Sequence, residues 1–460
     1  MKPVARWSPF LFGCLAAMSL SCVPEQASGP RPALSFRKVA SSGDSKCLAG
    51  VQIGEKGKQK NPVELKCAIQ APGPAPLTQG QKGWIDGHHY YLADQSNKGL
   101  DVFDADGLTF VGRVDGMAGN LPAGGGTAIT NGPGPSSVAF SDHKTAWVAD
   151  GNSTVWVVDV EHMSIIASVN TSIAACDGGT ATTHYCGRTN EITYDPMHQL
   201  VFVQNPSPLA VAAPHGAIDT YATFISAVPP YRIVGTISFP DRRGQEAPVW
   251  DQETQRILTA VSGRQVVAAG PPPVVTAIYH QYVAVINPAI RPFTVEAQYT
   301  IDCTALGIVG TPTPANPTGR QFGINDPTIG AHQNLVIPAC GRPIILNAAT
   351  GAFVNTGITQ VGGGNETTYG RGDHNFYTAV GNFLGVIDAR SAQWLQSVPD
   401  TGGANPAAYS KKNLVFTIVQ ASATRTACTD FGYQASGCLT VFGHTGKAHH
   451  DEDDDGDEDE

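Results

Sequence analysis

One phrase recurs seven times along this chain: a short apolar strand, a polar turn and a longer apolar strand. A repeat of this kind constrains the fold more than any other feature, because one such unit cannot bury both of its faces alone. Successive anchors of the phrase are 56, 54, 56, 79, 40 and 40 residues apart. The shortest spacing is about the length of four short strands joined by tight turns. The anchors are Trp84, Phe140, Tyr194, Trp250, Ile329, Tyr369 and Tyr409.

The residues after each phrase continue the pattern of strands. A third strand with alternating apolar residues follows, as in GLDVFDAD and TVWVVDVE, and most copies have a fourth, as in TFVGRV. The 51 Gly and 33 Pro residues weaken helix interiors. Period-two alternation between polar turns indicates antiparallel meanders. The sequence therefore predicts an all-β fold, a seven-bladed β-propeller of four-stranded antiparallel blades.

The last copy of the repeat lacks a fourth strand. Its third strand, CLTVFGH, runs directly into the acidic C-terminal residues. An unpaired outer edge is a liability for a β-sheet, so another part of the chain should cover it. Ala33–Ser41 (ALSFRKVAS) has the composition of a strand. We expect this N-terminal strand to close the ring as the outer strand of the last blade.

Two stretches carry the repeat in its clearest form, GPSSVAFSDHKTAWVADGNSTVWVVD from Gly134 to Asp159 and YYLADQSNKGLDVFDADGLTFVGRV from Tyr90 to Val114. These stretches resemble the repeats of YVTN-type seven-bladed propellers, and the resemblance covers most of residues 75–443. It implies the propeller fold. It implies little about chemistry, because such propellers serve as binders, scaffolds and enzymes.

The N-terminus has the layout of an export signal. Lys2 and Arg6 precede the apolar stretch Phe10–Leu20, which ends in small residues before Cys22. Ser19 stands where a bacterial lipobox prefers leucine, so both a lipid anchor on Cys22 and a plain signal peptide stay open. We expect an exported protein of the periplasm, the cell surface or the outer membrane, attached to a membrane only through such an anchor. The expected segments are the signal (1–22), an N-terminal segment with the closing strand (23–74), the propeller (75–444) and an acidic tail (445–460).

The cysteines beyond the signal agree with export. There are eight of them, and they lie in the sequence as four neighbouring pairs. Local bridges are the simplest of the 105 pairings that eight cysteines allow in an oxidising compartment. We therefore expect the disulfides Cys47–Cys67, Cys176–Cys186, Cys303–Cys340 and Cys428–Cys438.

The charge is concentrated at one end of the chain. The formal net charge is -10, and nine of the 39 acidic residues lie in Asp451–Glu460. Without them, 30 acidic residues face 29 basic ones. This balance argues against nucleic-acid binding, which needs clustered Lys and Arg. The tail itself has the composition of a solubilising, disordered segment.

The candidate site follows from the repeat. Residues three and four positions before the anchors should meet at one mouth of the central channel, and in five successive copies they include acids or amides. Such oxygen ligands suit a hard divalent cation such as calcium, Ca2+. The alternative is that these side chains cap the channel by bonding to backbone and water. The candidate metal ligands are Asn190, Glu191, Glu246, Asn325, Asp326, Asn365, Glu366 and Asn405.

This set of acids and amides is similar to the calcium site of the gluconolactonase and paraoxonase propellers. That similarity implies an ion that polarises a lactone or phosphoester oxygen. Two functions stay open. One is a propeller that binds a small ligand or a protein partner at the channel mouth, with or without a divalent cation. The other is a metal-dependent, lactonase-like hydrolase, with His184 or His215 as candidate general base.

Overall fold

Seven four-stranded antiparallel sheets follow one another along the chain in this computed structural model. All described residues belong to one unit of the chain, Arg37–Glu460. The structure describes residues 45–48, 61–117, 134–151, 153–171, 188–205, 209–210, 217–218, 220–239, 244–268, 274–313, 316, 318–362, 364, 366–380, 383–399, 403–422, 427–433 and 435–445.

The strands of each blade are named a to d from the channel outward. Blade 1 has strands Gly80–Asp86, His89–Asp94, Gly99–Asp104 and Thr109–Asp115. Blade 2 has Ser137–Asp142, Thr145–Asp150, Thr154–Asp159 and Ser164–Asn170. Blade 3 has Ile192–Asp195, Leu200–Asn205, Thr220–Ser226 and Ile233–Phe239. Blade 4 has Gln245–Asp251, Arg256–Val261, Gln281–Ile286 and Val295–Ile301.

The remaining three blades continue the order. Blade 5 has Thr328–Ile329, Asn334–Ala339, Arg342–Asn347 and Phe353–Asn355. Blade 6 has Thr367–Gly370, Asn375–Ala379, Phe383–Asp388 and Gln393–Pro399. Blade 7 has Gly403–Tyr409, Leu414–Val419, Cys438–His444 and, as strand d, Val63–Gln70, which also pairs with the short strand Lys46–Cys47. Two ribbons lie outside the blades, Leu209–Ala210 with Ala217–Ile218 and Arg264–Ala268 with Val274–Tyr279. A 3-10 turn, Ala331–Gln333, precedes strand b of blade 5.

The seven a strands form the wall of the channel. Strand a of each blade contacts strand a of the next, and the contact between blades 7 and 1 completes the ring. All seven anchor residues lie in a strands, so the repeat and the blade coincide. The predicted all-β, seven-bladed propeller is confirmed.

The core lies between blades, where each sheet packs its two faces on its neighbours. Strands b are buried on both faces; Leu200–Asn205 and Asn334–Ala339 are buried along their whole length. Between blades 3 and 4 the rings of Phe224 and Phe293 stack with centroids 3.5 Å apart. Burial on both faces explains why these segments read as apolar runs rather than as alternating ones.

The strand that closes the ring is Val63–Gln70, and the prediction of Ala33–Ser41 for this position is wrong. Val63–Gln70 pairs antiparallel with Cys438–His444, from Val63 opposite His444 to Gln70 opposite Cys438. Cys67 and Ile69 are completely buried in this blade. Residues 33–41 lie outside the described residues. The closing strand is nevertheless N-terminal, as the missing fourth strand required.

Polar contacts stabilise the pairing of strands c and d of blade 7 at the edge where strand c ends and strand d begins. His444 Nε2 lies 3.0 Å from Asp373 Oδ2, and His444 Nδ1 lies 2.7 Å from the carbonyl oxygen of Asn61. The Gln396 side chain accepts a hydrogen bond from Val63 N at 2.8 Å and donates one to Val63 O at 2.9 Å. Blade 6 therefore holds both chain segments that complete blade 7.

Three of the four expected disulfides are present: Cys47–Cys67, Cys303–Cys340 and Cys428–Cys438. The fourth expected pair, Cys176 and Cys186, lies outside the described residues. No helix among the described residues is long and apolar enough to cross a bilayer.

Removing the closing strand should destabilise the whole ring. A chain that begins at Ala71 loses Val63–Gln70 and leaves the edge of Cys438–His444 unpaired, so we expect a large fall in melting temperature and aggregation through this edge. A chain that begins at Ser45 keeps the strand and the Cys47–Cys67 bridge. Thermal unfolding followed by circular dichroism compares the two, and equal melting temperatures would contradict this account of closure.

Candidate metal centre

Three carboxylates from three blades meet at one mouth of the channel. Glu191 directly precedes strand a of blade 3, Asp326 precedes strand a of blade 5, and Glu366 directly precedes strand a of blade 6. All three residues are buried, and one carboxylate oxygen from each lies within 4.8 Å of the others. Among the described residues this is the one group of three or more acidic, histidine or cysteine side chains with the spacing of a metal site.

Backbone pairing inside each blade brings these acids to the mouth. The carbonyl oxygen of Glu191 accepts a hydrogen bond from Gln204 N at 3.0 Å, and that of Glu366 accepts one from Ala379 N at 3.4 Å. Each acid therefore pairs with strand b of its own blade, as the residues of strand a do, although it lies just before strand a begins. Because the a strands run in the same direction, their first residues meet at one end of the channel.

Lys82 from strand a of blade 1 lies among these carboxylates. Its Nζ is 3.2 Å from Asp326 Oδ2 and 3.3 Å from Glu191 Oε2. Burial disfavours the charged ammonium, but the negative charges of Asp326, Glu191 and Glu366 outweigh it and raise the pKa of Lys82. The Lys82 side chain keeps 20% of its surface exposed. The ammonium thus lies among the three carboxylates, on a side chain that is partly exposed.

The carboxyl groups have unusual acidities. Burial raises the pKa of Glu191 to about 7 against the opposing charge of Lys82. Burial, together with the charge of Asp326, raises the pKa of Glu366 and of Glu246 well above the ordinary range. Glu246 lies in strand a of blade 4, next to a β-bulge. In the absence of another cation, the site therefore retains protons near neutral pH.

Two buried carboxylate oxygens at the mouth, Oε2 of Glu191 and Oε2 of Glu366, accept no hydrogen bond, and that of Glu191 has only its ion pair with Lys82. Asp326 is anchored, because its Oδ1 accepts a hydrogen bond from Ala247 N at 2.8 Å. Oε2 of Glu366 is buried and has no hydrogen-bond partner. A buried, unpartnered carboxylate oxygen is costly unless a cation or a proton satisfies it. Glu366 therefore offers a free ligand atom toward the cluster.

A second buried cation lies beside the acids. Nη2 of Arg188 donates hydrogen bonds to Asn190 Oδ1 at 2.6 Å and to Gln81 Oε1 at 3.4 Å, and its Nε and Nη1 are buried without partners. Burial lowers the pKa of Arg188, and the charges of Glu191 and Glu246 oppose that effect. When all carboxyl groups are ionised, four negative charges exceed two positive ones, a difference of two. The groups counted are Glu191, Glu246, Asp326, Glu366, Lys82 and Arg188.

The predicted amide ligands have other partners. Asn190 accepts its bond from Arg188, and Asn325 Nδ2 donates to the carbonyl oxygen of Gly364 at 2.8 Å, which links blades 5 and 6. Asn405 is buried in strand a of blade 7. Asn365, His184 and His215 lie outside the described residues. The structure thus brings three of the four acids of the predicted set within 4.8 Å of one another, and Glu246 is not part of that group. Two of the predicted asparagines, Asn190 and Asn325, hold neighbouring groups instead.

The two cations at the mouth were missed by sequence reasoning. Lys82 lies two positions before the anchor Trp84, whereas the predicted ligands lie three and four positions before their anchors. A bulge between Gly80 and Gly83 shifts the register of this strand. Arg188 precedes its strand by four residues, and only its contact with Asn190 reveals its role. The sequence signal that could have identified Lys82 is a basic residue close to the repeat position at which other blades carry acids.

Long connections surround this mouth. In an antiparallel blade the connections from b to c and from d to the next a lie at the same end as the start of strand a. The ribbon formed by Arg264–Ala268 and Val274–Tyr279 is such an insertion, and Gln265 Nε2 donates to Asn316 Oδ1 at 2.9 Å in the connection between blades 4 and 5. The disulfide Cys303–Cys340 fastens that connection to blade 5. The carboxylates therefore lie on the more elaborated end of the propeller, as ligand sites commonly do.

Comparisons with known proteins agree on the fold. No protein-family model matches the chain, and no curated protein matches it. A chain from a crystal structure of a mitotic checkpoint complex is 12% identical with a TM-score of 0.52, and the match covers 92% of this chain and 100% of that one. A chain of Kuenenia stuttgartiensis hydrazine synthase is 12% identical with a TM-score of 0.50, covering 76% and 94% respectively. The class of protein is thus the β-propeller, and likeness at this identity shows the fold alone.

The acidity of Glu191 predicts a pH dependence of stability. Its pKa rises from an ordinary value of 4.5 to about 7 on folding, so its contribution to stability is complete below pH 4.5 and is lost as the pH rises through 7. The loss amounts to about 3 kcal/mol. We expect Glu191→Gln to remove this part of the difference in unfolding free energy between pH 5 and pH 8, measured by urea denaturation with EDTA present. An identical pH profile in the variant would show that Glu191 keeps an ordinary pKa.

Proposed function

We propose that this protein is an exported binding propeller whose channel mouth holds a divalent cation, calcium first among them, between Glu191, Asp326 and Glu366. The observation that carries the proposal is the meeting of three buried carboxylates with an unpartnered oxygen on Glu366. The cation then offers a coordination position to a small ligand or to a side chain of a partner protein.

The donor set fits a hard cation. Calcium takes six to eight oxygen ligands in flexible geometry, and three carboxylates supply up to six. With Lys82 turned away, four carboxylates face Arg188 alone, an excess of three negative charges, of which one divalent ion neutralises two. A proton on Glu191 and another on Glu366 would neutralise the same charge, so binding of the cation should release protons. Affinity should accordingly weaken as the pH falls below about 7, the pKa of Glu191.

Lys82 competes with the bound cation in this proposal. Its ammonium lies within 3.3 Å of two of the carboxylates that would bind the ion. Entry of the ion requires this side chain to turn toward solvent, and its partial exposure favours that movement. A resident ammonium of this kind stabilises the empty site and lowers the affinity for the ion at the same time.

Export rests on the N-terminal pattern and is supported by the three disulfides, since such bonds persist in oxidising compartments. The YVTN-type repeat assignment belongs to the same proposal. The location is the periplasm, the cell surface or the outer membrane, with Cys22 as the lipid attachment point in the last case. Fractionation of cells that express the full chain and its Cys22→Ser variant separates these locations.

Calcium titration tests the proposal. We expect calcium to raise the free energy of unfolding by about 2.7 kcal/mol at a hundredfold excess over its dissociation constant. Glu366→Gln should abolish this rise, whereas Lys82→Met should tighten calcium binding about tenfold because a competing charge is removed. Urea denaturation with and without calcium measures the first effect, and calorimetric titration measures the second, both in a background whose acidic residues in Asp451–Glu460 are replaced by serine.

The control for these variants is Glu161→Gln, which removes an exposed carboxylate paired with Lys144 at 2.8 Å. It should leave calcium binding unchanged. Failure of the wild-type protein to bind calcium, magnesium, manganese or zinc would refute the proposal. Equal calcium affinities of wild type and Lys82→Met would instead refute the role of Lys82.

One observation favours the alternative function of a lactonase-like hydrolase. A buried carboxyl with a pKa of about 7 is suited to act as a general base at neutral pH. In this alternative Asp326 and Glu366 hold the cation, and Glu191 acts as the base instead of binding the ion. The expected result is calcium-dependent opening of a simple lactone, with a rate that rises through pH 7 and is lost in Glu191→Gln. His184→Ala and His215→Ala test the other candidate bases. No turnover of γ- or δ-lactones by the calcium-loaded protein would remove this function.

A further inference from the structure

The end of the propeller opposite the channel mouth carries the turns between strands a and b and those between strands c and d. Strand a ends in an aspartate in each of the first four blades, at Asp86, Asp142, Asp195 and Asp251. In blades 5, 6 and 7 strand a ends instead at Ile329, Gly370 and Tyr409. The repeat therefore places an acid at the end of strand a on one side of the ring and omits it on the other.

Basic residues occupy these turns in blades 6 and 7. Arg371 directly follows strand a of blade 6, and Arg390 lies in the turn between strands c and d of the same blade. Lys411 and Lys412 lie between strands a and b of blade 7. The two blades are in contact here, because Arg371 N donates a hydrogen bond to Ser410 Oγ at 2.9 Å. The four residues Arg371, Arg390, Lys411 and Lys412 are here called the basic rim.

The positive charges of the basic rim exceed the negative charges in contact with them. Asp106 of blade 1 lies 3.0 Å from the Lys412 ammonium and 3.5 Å from that of Lys411, so two ammonium groups share one carboxylate. Asp388 accepts a hydrogen bond from Arg390 N at 2.9 Å. Four basic groups against these two acids leave an excess of two positive charges.

The guanidinium groups of the basic rim form no ion pair with a carboxylate among the described residues. Arg390 Nη2 donates to His374 Nε2 at 2.9 Å. Burial and the charge of Arg390 lower the pKa of His374, so this imidazole is neutral at pH 7 and does not balance the guanidinium. Lys144, in the equivalent turn of blade 2, differs because it pairs with Glu161 at 2.8 Å.

The chain leaves blade 7 beside the basic rim. Thr445 is the last described residue and directly follows strand c. His444 Nε2 lies 3.0 Å from Asp373 Oδ2, and Asp373 is only two residues after Arg371. His444 and Arg390 line the same cavity. Any segment that continues from Thr445 therefore starts close to both arginines.

The segment that continues from this point is strongly acidic. Asp451–Glu460 consists of nine acidic residues and one glycine. Asp451 is six residues beyond Thr445, and an extended chain of that length spans about 20 Å. The start of the acidic segment is therefore tethered within a short distance of an excess of positive charge.

We propose that the acidic segment Asp451–Glu460 binds the basic rim of its own chain. Two observations select this occupant: the opposite charges of the two surfaces, and the exit of the chain next to the rim. Because the segment is tethered, its effective concentration at the rim exceeds that of free acidic partners. Docking therefore shields the rim from other polyanions. The contact lies at the end opposite the channel-mouth carboxylates and does not depend on a bound cation.

The test uses the full chain and a variant whose acidic residues in Asp451–Glu460 are replaced by serine, here called the serine-tail variant. The probe is a fluorescently labelled decapeptide with the sequence of Asp451–Glu460, followed by fluorescence anisotropy with EDTA present at an ionic strength of about 10 mM. We expect saturable binding to the serine-tail variant. Binding to the wild type should be about tenfold weaker, because its own segment occupies the rim.

Replacing two exposed members of the basic rim tests the location of the contact. In the serine-tail variant, Arg371→Gln combined with Lys411→Gln should weaken peptide binding about tenfold, because two positive charges are removed. An ionic strength of about 1 M should abolish binding. The matched control is Lys144→Gln, which removes an exposed ammonium from the equivalent turn of blade 2 and should leave peptide binding unchanged.

Three results would overturn the proposal. The first is the absence of peptide binding to the serine-tail variant, and the second is unchanged binding after Arg371→Gln combined with Lys411→Gln. The third is equal binding to the wild type and the serine-tail variant, which would show that the segment does not occupy its own rim. Sedimentation at low ionic strength addresses a second copy as the occupant. Dimers formed by the wild type and not by the serine-tail variant would show that the segment binds the rim of another copy, which also refutes the proposal.

Discussion

The pairing of Val63–Gln70 with Cys438–His444 is the constraint on which the rest of this structure depends. It joins residues far apart in the sequence into one blade and so fixes seven sheets in a closed ring. Closure sets the distances between a strands on opposite sides of the channel. The candidate metal centre is therefore a consequence of how the ring is completed.

The electrostatics of the mouth follow from bringing equivalent positions of different blades together. Each carboxylate alone is an ordinary residue at the start of a strand, but in the ring they lie within 4.8 Å of one another and away from water. Their repulsion and desolvation must be offset by protons, by Lys82 and Arg188, or by a bound ion. Under the proposal, a divalent cation would replace the Lys82 ammonium and the protons on the carboxyl groups of raised pKa, so that one set of positive charges is exchanged for another.

Much of this architecture could be predicted from the sequence, because each copy of the sequence repeat corresponds to one blade. The anchors from Trp84 to Tyr409 all lie in a strands, and three of the four acids predicted from their distance to the anchors meet. The closing strand was harder to recognise, because Val63–Gln70 carries Glu64 and Lys66, whose charges pair with each other at 2.7 Å in the folded blade. These two charged residues give the segment the composition of a polar loop, although it folds as an edge strand.

Other features could not be read from local patterns. Lys82 enters the cluster through a bulge that shifts the register of its strand. Arg188 is identified only by its contacts with Asn190 and Gln81. The role of Lys82 depends on contacts with residues of other blades, which lie far away in the sequence.

The central claim is that Glu191, Asp326 and Glu366 bind one divalent cation. Anomalous X-ray diffraction from crystals grown with manganese tests this most directly. The account predicts a single anomalous peak about 2.2 Å from oxygens of all three carboxylates, with the Lys82 ammonium displaced from its position between Glu191 and Asp326. A map with no peak there, and with Lys82 still in contact with both carboxylates, would contradict it.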